Sequence, residues 1–249
     1  MNTIHRTVSA VVLCTVLSMA TAACGTTTTT TAASAPTSRS TAPTEDPLAS
    51  LSGPTIVAKA YTDLGTAASV HIVSNTGDGG QGSNVNLQIV LGKGCSGTVN
   101  WPGTGSIQLV VIGTQMWMKP DAAYWKTEGN AVPASVHGKY LLGSTANSRL
   151  APVAGYCTMT KTMAAGKSDL SGMTKGTPTT VNGQKALNIS DAKSTWSLIV
   201  SDTATPEILE VLQTVGAESG SSELDHYNVP VILTPPPSSQ VVDGTAYGM

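Results

Sequence analysis

The chain contains no phenylalanine, and aromatic residues of every kind make up only 4% of its 249 positions. Charged residues are equally sparse at 11%, with a net charge of −2. A chain with no basic field has nothing to hold a phosphate backbone, which excludes nucleic-acid binding. Histidine and cysteine occur four times each, with no CxxC pair, no histidines at i, i+4 spacing and no GxSxG elbow, so zinc hydrolysis and serine-esterase chemistry have no signature. What remains abundant is Gly, Thr, Ser and Val, a composition suited to a sheet-rich extracellular protein. At roughly 150 residues per domain the length allows one or two domains.

The amino end shortens that estimate. Arg6 precedes the apolar run 8–17, which has the plan of a signal peptide and is too short to span a membrane comfortably. The run leads into Ala20-Thr21-Ala22-Ala23-Cys24-Gly25. Small residues before a cysteine resemble the bacterial lipobox, in which the Cys thiol receives a diacylglycerol and the signal is cut just before it. Thr21 stands where the lipobox usually has Leu. The alternative is plain secretion, with cleavage after Ala23 or another small residue. If Cys24 is acylated, each buried methylene contributes about 0.8 kcal/mol, and two or more chains anchor where one only visits. Residues 25–46 hold a threonine run from Thr26 to Thr31 among Ala, Ser and Pro, with too little apolar surface to offset the entropy of ordering. They read as a tether of roughly 26 Å r.m.s. reach, and their composition also suits glycosylation. The predicted organisation is therefore signal 1–23, lipidated Cys24 and tether over 24–46, and a single domain over 47–249, on the outer face of the cell membrane, or secreted if Cys24 is not lipidated.

With Cys14 in the signal and Cys24 at the anchor, Cys95 and Cys157 remain to pair. An exported protein meets an oxidising compartment, and a loop of about 62 residues makes such a bridge worth about 4 kcal/mol in the chain-entropy treatment. A metal site or a catalytic thiol would want a histidine nearby, and none lies within ten residues of either cysteine.

Periodicity organises the rest. Leu48, Leu51, Ile56, Ala60, Leu64 and Ala67 recur at helical spacing and predict a helix over 47–69, with Pro54 in the first turn of its main part. The period then becomes two, predicting strands at 70–73, 85–91, 95–101, 106–112 and 115–119, joined by glycine-rich turns as an antiparallel meander. A short capped helix is predicted over 121–126, with Asp121 as its N-cap or first-turn acid. A second helix is predicted over 148–165, with Cys157 turned toward the sheet that carries Cys95. Strands resume at 179–181, 186–189, 196–200, 208–212 and 229–233, although 206–215 also fits a helix. The fold class is α+β, a curled antiparallel sheet packed with a few helices.

The segments 94–99, 107–112 and 116–125, with Met116-Trp117-Met118-Lys119-Pro120-Asp121 at their centre, and the tail 225–236 followed by Val241-Val242-Asp243, resemble a group of actinobacterial lipoproteins related to LppX and LprG. The resemblance runs from Pro47 to Asp243. It implies a LolA-like half-barrel around an apolar cavity that in some relatives holds an acylated lipid or glycolipid. On that basis Leu109, Val111, Trp117 and Trp125 are candidate ligand-binding residues, the tryptophans as amphipathic aromatics at a pocket mouth; the same tryptophans also suit plain core at the open end of the sheet. This chain departs from the group in having no Phe, and its Gly- and Thr-rich strands leave a smaller cavity or none.

Other motifs reduce to local structure. Gly77-Asp78-Gly79-Gly80-Gln81-Gly82 matches GxGxxG, but a strand follows where a dinucleotide site needs a helix. Ser190-Asp191-Ala192-Lys193 matches SxxK without the companion elements that such enzymes require. Gly166-Lys167-Ser168 ends like a P-loop, with Lys161 where the leading Gly belongs. His71, His137 and His226 lie far apart in sequence and read as surface or strand residues. Neither catalysis, a metal nor a cofactor is expected. The expected function is binding or carrying an apolar lipid, and the alternative is an envelope interaction or sensor-accessory module with no ligand.

Overall fold

Residues 46–77, 82–127, 133–165, 170–193, 195–214 and 219–249 are described by the structure, a computed structural model. The signal, Cys24, the tether up to residue 45, the loop 78–81 and the Gly166-Lys167-Ser168 segment lie outside them.

Helix α1 (Gly53–Thr66) is shorter than the predicted 47–69. Pro54 stands in its first turn, where its missing N–H removes no helical bond. The Ser52 hydroxyl accepts from the Thr55 N–H at 3.4 Å as N-cap, so the preceding residues form a turn instead of helix. Ile56, Val57, Ala60, Tyr61 and Leu64 are buried on one face.

The strands are β1 (Ser69–Thr76), β2 (Ser83–Val90), β3 (Gly94–Trp101), β4 (Gly105–Ile112), β5 (Gln115–Pro120), β6 (Tyr140–Ser144), β7 (Thr174–Val181), β8 (Gln184–Ser190), β9 (Trp196–Ser201), β10 (Ile208–Gln213), β11 (Gly220–Asp225) and β12 (Val241–Asp243). They form one open sheet in the order β12-β6-β5-β4-β3-β2-β1-β11-β10-β9-β8-β7. All ladders are antiparallel except β12 with β6. Between β5 and β7 lie the helices α2 (Ala122–Thr127), α3 (Ala151–Gly155) and α4 (Met159–Ala165), the last two joined by a 3-10 turn over Tyr156–Thr158. The sheet is therefore the curled, mostly antiparallel half-barrel with a few helices that the sequence predicts.

Alternation carries the core onto one face. Val70 and Ile72, Val85, Leu87 and Ile89, Cys95 and Val99, Ile107, Leu109 and Val111, Met116 and Met118, Leu187 and Ile189, and Leu198 and Val200 join α1 in one buried cluster. A smaller cluster gathers Trp125, Val136 and Leu141. The described residues belong to one compact unit.

Several details differ from expectation. Residues 208–213 are strand, which settles the helix alternative for 206–215. The predicted helix 148–165 is broken into α3, the 3-10 turn and α4. The predicted strand 229–233 pairs with nothing in the ladder: Pro230 and Pro235 to Pro237 lack the N–H that pairing needs, and Ile232 is 89% exposed. This stretch instead leaves β11, is held by bonds from Asn228 N–H to the Ser69 carbonyl and from the Ser69 hydroxyl to the Val229 carbonyl, and covers the lateral distance from β1 to the far side of β6, where β12 closes the order. β6 and β11 go unpredicted, β11 because only Leu224 is buried in its polar run. Edge strand β7 is longer than the predicted 179–181, its polar residues and Pro178 suiting an unpaired edge. At the β5–α2 junction Asp121 accepts from the Tyr124 N–H at 2.7 Å and from the Ser106 N–H and hydroxyl at 3.0 and 2.8 Å. The Tyr124 bond foremost, with those from Ser106, holds the Asp121 carboxyl below the usual carboxylate range.

Gly97 stands mid-strand on the core side of β3, between Cys95 and Val99, at φ +151°. A Cβ there would lie 2.1 Å from the Asn86 carbonyl oxygen across the ladder. Gly97→Ala should therefore destabilise the domain by about 2 kcal/mol or more, and urea unfolding measures it. Gly103→Ala, in a turn with open space around the added Cβ, provides the reference for backbone strain alone, and equal losses at the two sites would show that the close approach in β3 does not matter.

Candidate functional site

The β2–β3 and β4–β5 turns and the end of β6 lie at the same end of the sheet, where β1 also begins. Opposite them run the last turn of α1 and the α3–α4 segment. Between these walls is a cavity of about 770 Å³, inside the roughly 300–1,000 Å³ range of small-molecule sites.

The wall is built from small and apolar side chains. From the sheet come Leu91, Gly92, Gly94, Val111 and Gly113; from the helices come Gly65, Ala151, Ala154, Gly155, Ala164 and Ala165. The space exists because those positions on α3 and α4 carry at most a methyl group. Gly65 faces α4, where an added Cβ would make an ordinary contact with the Ala164 Cβ at 3.5 Å. Thr145, Thr158 and Thr160 supply hydroxyls, and the cations Lys93 and Lys161 complete the wall, both exposed and so at the mouth. Among the described residues, no carboxylate, imidazole or free thiol lies in this wall. The arrangement can desolvate an apolar chain and present positive charge to whatever remains in water.

Cys95 and Cys157 are bonded, joining the first residues of β3 to the 3-10 turn between α3 and α4, with Cys157 in the cavity wall. Among the sequence-derived ligand candidates, Val111 lines this cavity. Leu109, two residues along the same strand face, is buried deeper in the main core. Trp117 alternates with Met116 and Met118 of the core and thus points to the opposite face of β5. Trp125 packs with Val136 and Leu141 and stacks on His137 with ring centroids 6.3 Å apart. Those three residues are not in the wall.

Sequence reasoning missed the small residues and the two lysines that are. The available signal was the run of Ala and Gly on a helical segment otherwise short of core-forming side chains. The SxxK match sits at the end of β8 and in the turn toward β9, where Asp191 accepts from the Thr195 N–H at 2.7 Å and from its hydroxyl at 2.6 Å. That is a turn-fixing role. Thr76 pairs with Ser83 across the GxGxxG segment, so strand meets strand there.

The half-barrel has counterparts among solved structures. LprF from Mycobacterium bovis superposes with a TM-score of 0.55 at 13% identity, over 75% of this chain and 97% of that one. The fold is similar to that of LprF. Lipoprotein LppX of Mycobacterium tuberculosis aligns with a TM-score of 0.46 at 12% identity, over 73% of this chain and 97% of that one. No family model matches the chain, and no curated protein matches it by sequence. Among the described residues, no helix is long and apolar enough to cross a membrane.

The bridge should matter for stability because it closes a loop with a sequence separation of 62 residues. Replacing both cysteines by serine is expected to cost about 4 kcal/mol, read as a lower urea midpoint at nearly unchanged slope. A loss below about 1 kcal/mol would mean that packing alone seats the helical segment.

Proposed function

We propose that this protein is an extracytoplasmic lipoprotein, tethered to the outer face of the cell membrane through acylated Cys24, whose half-barrel takes up an acyl chain of a lipid or glycolipid. The observation that carries the reading is the cavity, with its floor of Ala, Gly, Leu and Val and its two exposed lysines. Apolar area removed from water stabilises by about 25 cal/mol per Å², so a flexible chain entering such a space gains affinity without specific polar contacts. Lys93 and Lys161 suit an anionic or hydroxyl-rich headgroup left at the mouth. The fold similarity to LprF is compatible with this reading, as is the resemblance of residues 94–125 to the LppX and LprG group. With the proposed anchor at Cys24, a tether of roughly 26 Å r.m.s. reach would keep the domain near a membrane surface. Among its described residues the wall holds no carboxylate, imidazole or free thiol, which suits a carrier better than an enzyme.

Native mass spectrometry of protein purified from its own host tests the cavity. The expected result is an adduct with the mass of an acyl lipid, and its occupancy should fall several-fold in Ala154→Trp, whose indole fills the space, with the fold retained by circular dichroism. A clean unliganded mass for the wild type, with a defined protein partner captured by crosslinking in intact cells, would favour an interaction module and overturn the carrier reading.

The anchor has its own test. Cys24→Ala should release the protein to the medium and abolish palmitate labelling, whereas unchanged membrane retention would remove Cys24 from the proposal.

A further inference from the structure

His71 and the consecutive pair Asp225-His226, 154 residues away from it in sequence, meet on the face of the sheet opposite the core. β1 and β11 are antiparallel neighbours with His71 directly opposite Asp225, and β2 flanks β1 on its other side. His71 alternates with buried Val70 and Ile72, Asp225 follows buried Leu224, and Asn86 stands between buried Val85 and Leu87, so all three point outward. His226 is the first residue after β11, at φ +51°. The His71 Nδ1 lies 2.6 Å and the His226 Nδ1 2.8 Å from the same oxygen, Oδ1 of Asp225. The imidazole centroids are 5.7 Å apart, and one donor atom from each of the three residues falls within 4.8 Å of the others.

His71 Nε2 is 3.0 Å from Asn86 Oδ1. When Nε2–H donates to that amide oxygen, Nδ1 turns its lone pair toward Asp225, so the nitrogen and the carboxylate oxygen present two donors that a metal ion can share. A histidine that ligates a metal typically donates its other ring N–H to a carbonyl or carboxylate, and Asn86 supplies such an acceptor. Two imidazoles and one carboxylate are the donor set of three-ligand sites for borderline divalent ions.

We propose that His71, Asp225 and His226 bind a divalent transition-metal ion of the zinc class, with Asn86 fixing the His71 tautomer. Metal–ligand bonds of 2.0–2.2 Å in tetrahedral geometry need about 3.3 Å between donors, so the imidazoles withdraw from Asp225 by about 0.5 to 0.7 Å. The His226 side chain is 61% exposed, which leaves it room to move. Three ligands leave a coordination position open to water or to a donor from another molecule.

Zn²⁺ titration of the purified, chelator-stripped protein by calorimetry is the test, with imidazole ¹⁵N spectra as a second readout. The expected result is one equivalent bound, a rise in Tm with added Zn²⁺, and a metal-dependent shift of Nδ1 rather than Nε2 on both histidines. His226→Ala and Asp225→Asn should each weaken binding at least 10-fold, and Asn86→Leu about 10-fold. The His71→Ala/His226→Ala pair should abolish binding at this site. His226 is exposed and lies outside the strands, so its single variant remains informative even if the β1 variant folds poorly. Absence of saturable Zn²⁺ binding, or binding of equal stoichiometry and affinity in His226→Ala, would overturn the proposal.

Discussion

The helical cover of this half-barrel depends on the bond between Cys95 and Cys157. The segment it holds consists of a five-residue helix, a three-residue 3-10 turn and a seven-residue helix. Isolated helices of that length do not persist in water. Packing adds to the bond: α3 buries no residue and α4 only Thr160, but Leu150 and Cys157 are buried in the main core, and Val153, Tyr156, Met159 and Met163 pack against it half-buried. The sheet presents a continuous apolar face that has to be covered, and α1 alone covers part of it with Ile56, Val57, Ala60, Tyr61 and Leu64. Tying the 3-10 turn to β3 fixes the thin segment over the remainder, with those half-buried side chains beneath it.

The cavity follows from that division of labour. A helix that earns its position through packing must fill the space beneath it, usually with Leu, Ile or Phe. A helix positioned covalently is free to carry Ala and Gly there. Ala151, Ala154, Gly155, Ala164 and Ala165 do so, opposite a sheet end where Gly92, Gly94 and Gly113 also withhold side chains. The absence of phenylalanine, which in the sequence argued for a small cavity or none, thus has a different consequence in three dimensions. Few bulky side chains are available to plug the space, and the space remains.

The meander from β1 to β5 was legible because Val, Leu and Ile alternate there with Gly-rich turns between them, and the Asp121 cap was legible because a single acid after Pro120 has few other uses. The second half was harder to read. β11, Gly220–Asp225, contributes one buried side chain, and its strand character comes from pairing with β1 and β10 and not from composition. Residues 229–233 erred in the opposite direction, having strand-like side chains but proline at positions that a ladder must fill with N–H donors. The candidate wall was missed for a related reason. Periodicity finds residues that are buried by packing, such as Leu109, whereas a cavity is lined by residues conspicuous for what they lack. The His71–Asp225–His226 group was hidden in the sequence because an antiparallel register, not a local motif, brings His71 to the Asp225-His226 pair.

That register also explains how one strand serves two environments. β1 sends Val70 and Ile72 into the core and His71 to the opposite face, so each change of side chain on one surface leaves the other intact. The Asp225 carboxyl illustrates the separation: burial works to raise it, but the hydrogen bonds from His71 and His226 outweigh burial and hold it below its ordinary value. Nothing in the apolar interior has to adjust to bring these groups together, since the ladder between β1 and β11 sets His71 opposite Asp225. The cavity and the His71–Asp225–His226 group therefore lie against opposite faces of one sheet, each positioned by the same strand register.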